Sequence, residues 1–367
     1  MIKIEEQIFK QIEKANNILL VFPSDWNPDS VSASLALYLF LKKNGKNVNV
    51  SGSCSKKQGH LNFLPAFNEI KNNLDHLRKF VVSLDISKTK VSQIKYVVEK
   101  NQLNFILSPE NGWFEASDLS SRAGDFFYDL IICLGANDLE SLGDIYDKNI
   151  EFFYKTPIIN LSSRASTEEF GEINFIAINY STLSELIYNL ILKKNADLIN
   201  EDIATALLAG IILQTKNFKT GKLTSETLIH ASQLIKLGGR REEIVNNLYR
   251  NRRISDLKIW AKILQKLKIE NNKIAWIPLQ ESDLDGLEIE TEPLKDLIDE
   301  LMSGLNEVEY IVISIEGVLN TKLIAFSLNN ANVLKLLEAY KPSGNQKLAT
   351  AQTKQAPNNI ISSLLAK

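Results

Sequence analysis

Histidine and cysteine are scarce in this 367-residue chain, with three of the former and two of the latter. Cys54 and Cys133 lie far apart, one in a polar stretch and one inside the apolar run LIICL, so neither a disulfide framework nor a CxxC metal site is indicated. Such usage suits a reducing compartment. His60, His76 and His230 lack a second histidine at i+4 and a carboxylate cluster beside them, so each reads as a solvated or core residue rather than a metal ligand. An excess of one charge is missing too: 42 Lys and Arg stand against 44 Asp and Glu, and a net charge of −2 announces neither nucleic acid nor membrane. Any anion site must therefore be local. No run of about 18 apolar residues occurs, and the N-terminal MIKIEEQIFKQIEKANN is a charged amphipathic helix without a signal-peptide core. The expectation is a soluble, cytoplasmic protein with no membrane partner. Repeats and low-complexity tracts are also absent.

What the chain does contain is enough apolar residue, 44%, to fill two cores at this length. An apolar run, Ile18 to Phe22, breaks into Pro23-Ser24-Asp25-Trp26-Asn27-Pro28-Asp29, and an apolar-periodic segment follows from Val31 to Leu41. That is strand, sharp loop, helix, the place where open α/β sheets bind ligands and metals. Further strands are predicted at NVNVSG, at FVVSLDIS (Phe80 to Ser87, its apolar run ending at Asp85), at YDLIICLGAND and at TPIINLSSRAS (Thr156 to Ser166). Helices are predicted at VSQIKYVVEK and STLSELIYNLILKK. The fold class expected is α/β, a doubly wound and mostly parallel sheet. From Asn200 the pattern turns helical through EDIATALLAGIILQT and the basic REEIVNNLYRNRRISDLKIWAKILQKLK, a candidate connector. Past Glu270, NKIAWIPL, EYIVISIEG and TKLIAFSL read as strands, TEPLKDLIDELMSG as a helix and TAQTKQAPNN as a polar loop. The expected division is residues 1–245, a helical linker 246–270, and a smaller α/β domain 271–367.

The stretch YDLIICLGANDLESLGDIYDKNIEFFYKTPIINLSSRASTEEFGEIN, Tyr128 to Asn174, resembles the DHH/DHHA1 phosphoesterase superfamily. That superfamily includes RecJ-type exonucleases, oligoribonucleases that also dephosphorylate phosphoadenosine phosphate, and cyclic-dinucleotide phosphodiesterases. The likeness continues through STLSELIYNL and ALLAGIILQTKNFKTGKLTSETL and more weakly into AYKPSGNQKLATA. It implies a DHH domain joined by a helical linker to a DHHA1 domain, with two Mn²⁺ (or Mg²⁺) ions in the active members. Their ligands come from a His-x-x-x-Asp-x-Asp loop after the first strand, an Asp after a later strand, the Asp-His-His signature and an Asp in a Gly-x-x-x-Asp-Thr segment. Hard divalent cations take carboxylate oxygen and imidazole nitrogen, and two of them generate hydroxide and clamp an in-line phosphoryl displacement.

Carried onto this chain, the resemblance finds most ligands replaced. A gapless match puts Pro23 at the histidine, Asn27 at the first aspartate and Asp29 at the second; a match on Asn27-Pro28-Asp29 instead needs a two-residue deletion and still yields Asp25 in place of histidine. Asp85 is retained for the second motif, Ser162-Ser163-Arg164 stands where Asp-His-His is expected, and Gln214 replaces the last aspartate. The Gly-rich nucleotide motif of the second domain is reduced to Ser343-Gly344-Asn345-Gln346. Asp29 and Asp85 are the candidate remnant metal residues, with the alternative that Asp29 caps the helix beginning near Ser30 and Asp85 ends its strand in a polar turn. Arg164, Lys216 and Gly344 are the candidate substrate-binding residues, Arg164 because a guanidinium can grip a phosphate, aided by free amides near Ser30. Lys219 and the cluster Arg240, Arg241, Arg250, Arg252, Arg253 read as solvated, ion-paired charge, and no phosphate-loop pattern occurs.

Two functions follow from the resemblance. One is a pseudoenzyme that has lost two-metal hydrolysis, needs no cofactor, and binds a nucleotide or short single-stranded oligonucleotide or acts as a regulatory or interaction protein, with a homodimer among its candidate assemblies. The other is an active phosphoesterase with an altered one-metal site.

Overall fold

The computed structural model describes residues 3–53, 61–74, 77–220, 223–249, 254–271, 273–284, 298, 308–328 and 331–365. Cys54, His60, His76, Arg250, Arg252, Arg253 and all of TEPLKDLIDELMSG except Ile298 fall outside them. The chain forms two compact units, Met1–Arg250 and Asn251–Lys367.

The first unit begins with α1 (Ile4–Lys14), β1 (Asn17–Val21), α2 (Pro28–Lys43), β2 (Asn47–Ser51) and the two-residue β3 (Ile70–Lys71). A long excursion follows, made of β4 (Arg78–Leu84), β5 (Val91–Glu99), β6 (Gln102–Pro109) and β7 (Leu119–Phe126). The chain then returns through β8 (Leu130–Leu134), the short helices α3 (Asp144–Asp147) and α4 (Ile150–Lys155), β9 (Ile158–Ser162) and β10 (Ile173–Ile176). Helices α5 (Leu183–Asn195), α6 (Glu201–Gln214), α7 (Ser225–Lys236) and α8 (Arg241–Tyr249) complete it.

Six strands make one parallel sheet in the order β3-β2-β1-β8-β9-β10. Both faces are covered, which is why its strands are continuously apolar rather than alternating. Ile18, Leu20, Leu130, Ile132 and Leu134 enter the core shared with α2, α5 and α6, while Leu19, Val21, Ile131 and Cys133 enter a second core with Ile145, Phe152 and Phe153. The strand order reverses between β1 and β8. In an open α/β sheet that switch point, at the carboxyl ends of the strands, is where the helices part and leave a crevice.

Two sequence-based expectations fail in the excursion. VSQIKYVVEK is not a helix: β5 pairs antiparallel with β6, and the apolar positions 91, 94, 97 and 98 that imitate a helical period are three valines and one isoleucine, all β-branched and suited to a strand. FVVSLDIS is a strand but not of the parallel sheet, since β4 pairs antiparallel with β7 in a separate two-stranded ribbon.

The second unit carries α9 (Ile254–Gln265), β11 (Lys268–Glu270), β12 (Ile274–Gln280), β13 (Tyr310–Glu316), β14 (Thr321–Ser327), β15 (Ser343–Gly344) and β16 (Leu348–Thr353). They form a mixed sheet, β11-β12-β13-β14-β16-β15, with only β12 and β13 parallel. The helix expected to be a connector contributes Trp260 and Ile263 to this unit's own core, against Ala275, Ile277 and Ile313. TAQTKQAPNN is largely ordered: its first four residues end β16, where Ala349 and Ala351 pack on the other face, and a helix starts at Pro357.

Ile132 is fully buried at the middle of β8. Ile132→Ala should destabilise the first unit by about 2–5 kcal/mol through lost transfer energy and an unfilled cavity, read as an earlier urea transition of its α/β signal.

Candidate functional site

The switch point is formed by the loops after β1 and β8 and by the start of α2. Asn27 is the N-cap of α2, its Oδ1 accepting from Asp29 N at 3.1 Å and Ser30 N at 3.3 Å, and Pro28 takes the first helical position, where a missing N–H costs nothing. The amide at Ser30 expected to attract an anion is thus already paired. Asp29 does not cap its own helix. Its carboxylate reaches the N-terminus of α5, where Oδ2 accepts from Leu183 N at 2.7 Å and Oδ1 from Ser184 N at 3.0 Å and Ser184 Oγ at 2.6 Å. Three of the roughly four acceptor positions of the carboxylate are used. Asp29 is 4% exposed. Burial outweighs these hydrogen bonds and the nearby charge of Arg164 and pushes its pKa up to about 6.

The closeness of the surrounding backbone is set by glycine. Gly210, in α6, leaves room for this contact: a Cβ there would stand 2.0 Å from Ser184 Oγ and 2.9 Å from Asp29 Oδ1. Opposite, β8 ends in Gly135, whose φ of +77° and a Cβ position 2.3 Å from Ser30 Oγ both exclude a side chain. Trp26 fills the loop before α2. It is fully buried with φ +50°, packed edge-on against Phe22 at 5.3 Å and Phe67 at 6.0 Å, and its Nε1 has no hydrogen-bond partner among the described residues. Pro23, the position matched to the metal-binding histidine, is buried beside it.

On the next strand end, Ser162 is buried with its Oγ 2.6 Å from Thr167 Oγ1, and it accepts from Arg164 N at 3.1 Å; Ser163 and Arg164 are half-buried. Gln214 closes α6 and is exposed, as are Lys216 and Lys219 after it. Lys216, Asn217 and Phe218 run through three consecutive left-handed conformations, φ +48°, +57° and +63°, held by bonds from Phe218 N to Thr215 Oγ1 and from Lys219 N to Thr215 O.

Asp85 requires correction. It follows β4 in the ribbon, not a strand of the parallel sheet, and is fully exposed. Hydrogen bonding from Ser87 holds its pKa below the ordinary carboxylate range, and its charged neighbours are Asp118 and Lys88, whereas that of Asp29 is Arg164. The strand end that faces β1 across the switch point belongs to β8, and it carries Gly135. Gly344 belongs to the second unit, paired with Ala349 in a tight antiparallel turn; with φ +137° and a Cβ position 2.3 Å from Leu348 O, its glycine is demanded by the hairpin. Arg240 is ion-paired with Asp202 at 2.8 Å and Glu243 at 2.6 Å, and His230 lies 3.2 Å from the buried capping residue Glu185.

Pro23, Asn27, Asp29, Ser162 and Arg164 lie at or beside the ends of β1 and β9, and the contacts of Phe22, Asp29 and Ser30 bring in Trp26, Gly135, Ser184 and Gly210, which the sequence reading does not single out. The available signal for Gly135 is that the wholly apolar run LIICL leads directly into glycine. Among the described residues no three His, Cys, Asp or Glu side chains are grouped to hold a metal ion. The site, among the described residues, does not fit a two-cation centre, since its buried acid, Asp29, already accepts from two amides and a hydroxyl and has a guanidinium for a neighbour.

No family model matches the chain. An uncharacterized protein of Mycoplasma genitalium is 29% identical over 118 residues, 32% of this chain and 36% of that protein. The bifunctional oligoribonuclease and PAP phosphatase NrnA of Bacillus subtilis is 25% identical over 130 residues, 35% of this chain and 41% of that protein. The chain thus matches well under half the length of these relatives. A solved structure, an exopolyphosphatase-related protein of Bacteroides fragilis, superposes with a TM-score of 0.70 at 17% identity and covers 99% of this chain and 95% of its own.

Two outcomes test this geometry. The carboxyl of Asp29 titrates near 6 in the fold and near the ordinary 3.8 unfolded, so its stabilising contribution is full below pH 4 and lost as pH rises through 6. The loss is worth about 3 kcal/mol; denaturant melts at pH 4 and pH 7 should differ by that much less in Asp29→Asn than in the wild type. Gly210→Ala should cost about 1–3 kcal/mol by overpacking against Ser184, measured the same way.

Proposed function

We propose that this chain, which has the fold of DHH-type phosphoesterases, works without two-metal hydrolysis, as a regulatory or interaction protein. The observation that carries this reading is the use of the Asp29 carboxylate as a cap for α5. A metal ligand must offer its oxygens to the ion, and here they bind Leu183 and Ser184. The neighbouring positions support the same reading. Gly135 offers no donor, Ser162 is hydrogen-bonded to Thr167, Trp26 is packed into the loop, and Gln214 supplies an uncharged oxygen at an exposed helix end. Two-ion activation of water lacks its ligand set. The activities in the names of the Bacillus subtilis and Bacteroides fragilis proteins therefore do not carry over.

A second reading rests on Arg164. Half-buried beside the strand ends, its guanidinium could grip the phosphate of a nucleotide or short oligonucleotide without metal, as a fork to two oxygens. Against it stand the paired amide of Ser30 and the attraction of Arg164 to Asp29. The interaction reading is preferred for that reason.

Purified protein incubated with Mn²⁺ and dinucleotides, phosphoadenosine phosphate or polyphosphate should release no product above a no-enzyme control. Turnover abolished by Asp29→Asn would overturn the proposal. Calorimetric titration of mononucleotides and short oligonucleotides in chelator separates the two readings, because binding lost in Arg164→Ala would favour the second.

A further inference from the structure

The excursion between β3 and β8 is absorbed by nothing so far described. Its outer part is the hairpin of β5 and β6, whose register pairs Ile94 with Leu107, Tyr96 with Phe105 and Val98 with Leu103. Directly opposed residues of an antiparallel ladder share one face. These six apolar side chains therefore form three successive rungs on a single face. The reverse face carries the pairs Gln93–Ser108, Lys95–Ile106, Val97–Asn104 and Glu99–Gln102 and is mostly polar. Such one-sided alternation is the pattern of a strand pair with a covered face. Among the described residues little covers it: Ile94 is 65% exposed, Tyr96 71%, Val98 68%, Leu103 54% and Phe105 56%, and Leu107 is half-buried. A lone two-stranded hairpin is at best marginally stable in water, and among the described residues this one pairs with no third strand.

We propose that this face packs against the same face of a second copy of the chain, making a two-fold dimer through the β5–β6 arm. The rung sequence is symmetric about its centre, aliphatic, aromatic, aliphatic. A two-fold axis lying between the faces and running along the Tyr96–Phe105 rung sets that rung on its own counterpart and the Ile94–Leu107 rung on Val98–Leu103. An isologous contact needs such self-complementarity, and an unrelated partner has no reason to impose it. Charge points the same way. Residues 78–126 hold seven Lys and Arg and six Asp and Glu, so the arm lacks the field that would draw a nucleic acid or an anionic membrane. Size suits a modest interface. Aromatic side chains bury on the order of 150–250 Å² each, so the exposed parts of Tyr96 and Phe105 with four aliphatic neighbours approach the lower end of the roughly 600–1,000 Å² per partner of a specific interface. This inference stands apart from the reading of the switch-point crevice, since no residue of that crevice takes part.

Sedimentation velocity of the full chain at 1–50 µM, a range of roughly the affinities such interfaces reach, should give a species of twice the 41.4 kDa chain mass. Tyr96→Ser with Phe105→Ser should weaken the dimer at least about 100-fold, while Lys95→Ser on the reverse face leaves it unchanged; circular dichroism of both should match the wild type, because the altered side chains are exposed. A second measurement keeps the test independent of dimer strength: Phe105→Cys in a Cys54→Ser chain should join two copies through a short bismaleimide, whereas Lys95→Cys in the same background should not. A monomer across the range without cross-linking, a dimer that survives the double substitution, or wild-type binding to neutral vesicles in place of self-association would overturn the proposal.

Discussion

The bond between the Asp29 carboxylate and the first turn of α5 governs the architecture of the switch point. It draws the start of α2, the start of α5 and the middle of α6 together, and the approach is close enough that Gly210 cannot bear a side chain. A buried carboxylate is expensive to desolvate, and here the cost is offset by two amides, a hydroxyl and the positive end of a helix. Arg164 adds a further favourable charge, yet the neutral acid is still favoured up to about pH 6. The interaction is local in extent but central in place, because β1 and β8, the two middle strands of the sheet, deliver their loops to the same spot.

That spot is the one at which an open α/β sheet ordinarily holds a ligand. Metal centres and packed cores make opposite demands on it. A pair of divalent cations needs several uncommitted oxygens and room for water, whereas a core needs apolar volume and every polar atom paired. Among the described residues the packing demands are largely met: Trp26 supplies volume, though its Nε1 has no partner, Asn27 and Asp29 pair the amides of two helices, and Gly135 lets the β8 loop press against Ser30. Some irregular backbone survives nearby in the left-handed run Lys216 to Phe218, held by Thr215.

The arm of β5 and β6 obeys a different logic. The parallel sheet buries both faces within its own unit, and the mixed sheet of the second unit does the same with Trp260 and Ile263 on one side and Val333 and Leu337 on the other. Among the described residues the arm buries neither, and most of its large apolar side chains lie on one side, with Val97 and Ile106 on the other. Its amphipathic pattern is that of an element designed around a surface outside its own fold.

Much of this was legible in the residues. The strand–loop–helix at Val21 to Leu41 and the parallel character of the sheet follow from apolar runs and turn residues, all of which are local. Where the reading failed, at Asp85 and at VSQIKYVVEK, the local signal was sound but ambiguous. An apolar run that ends in aspartate is the same string in a central parallel strand and in a peripheral ribbon, and spacings of three and four occur by chance in a short β-branched segment. Only pairing with β7 and β6, more than thirty residues away for β4, separates the cases. By itself the sequence determined that Pro23, Ser162, Ser163 and Gln214 offer no carboxylate, because side-chain chemistry is the same in any fold. Tertiary structure decided what the surviving Asp29 does, since its partners Leu183 and Ser184 lie 154 and 155 residues downstream and meet it only when α5 docks on α2.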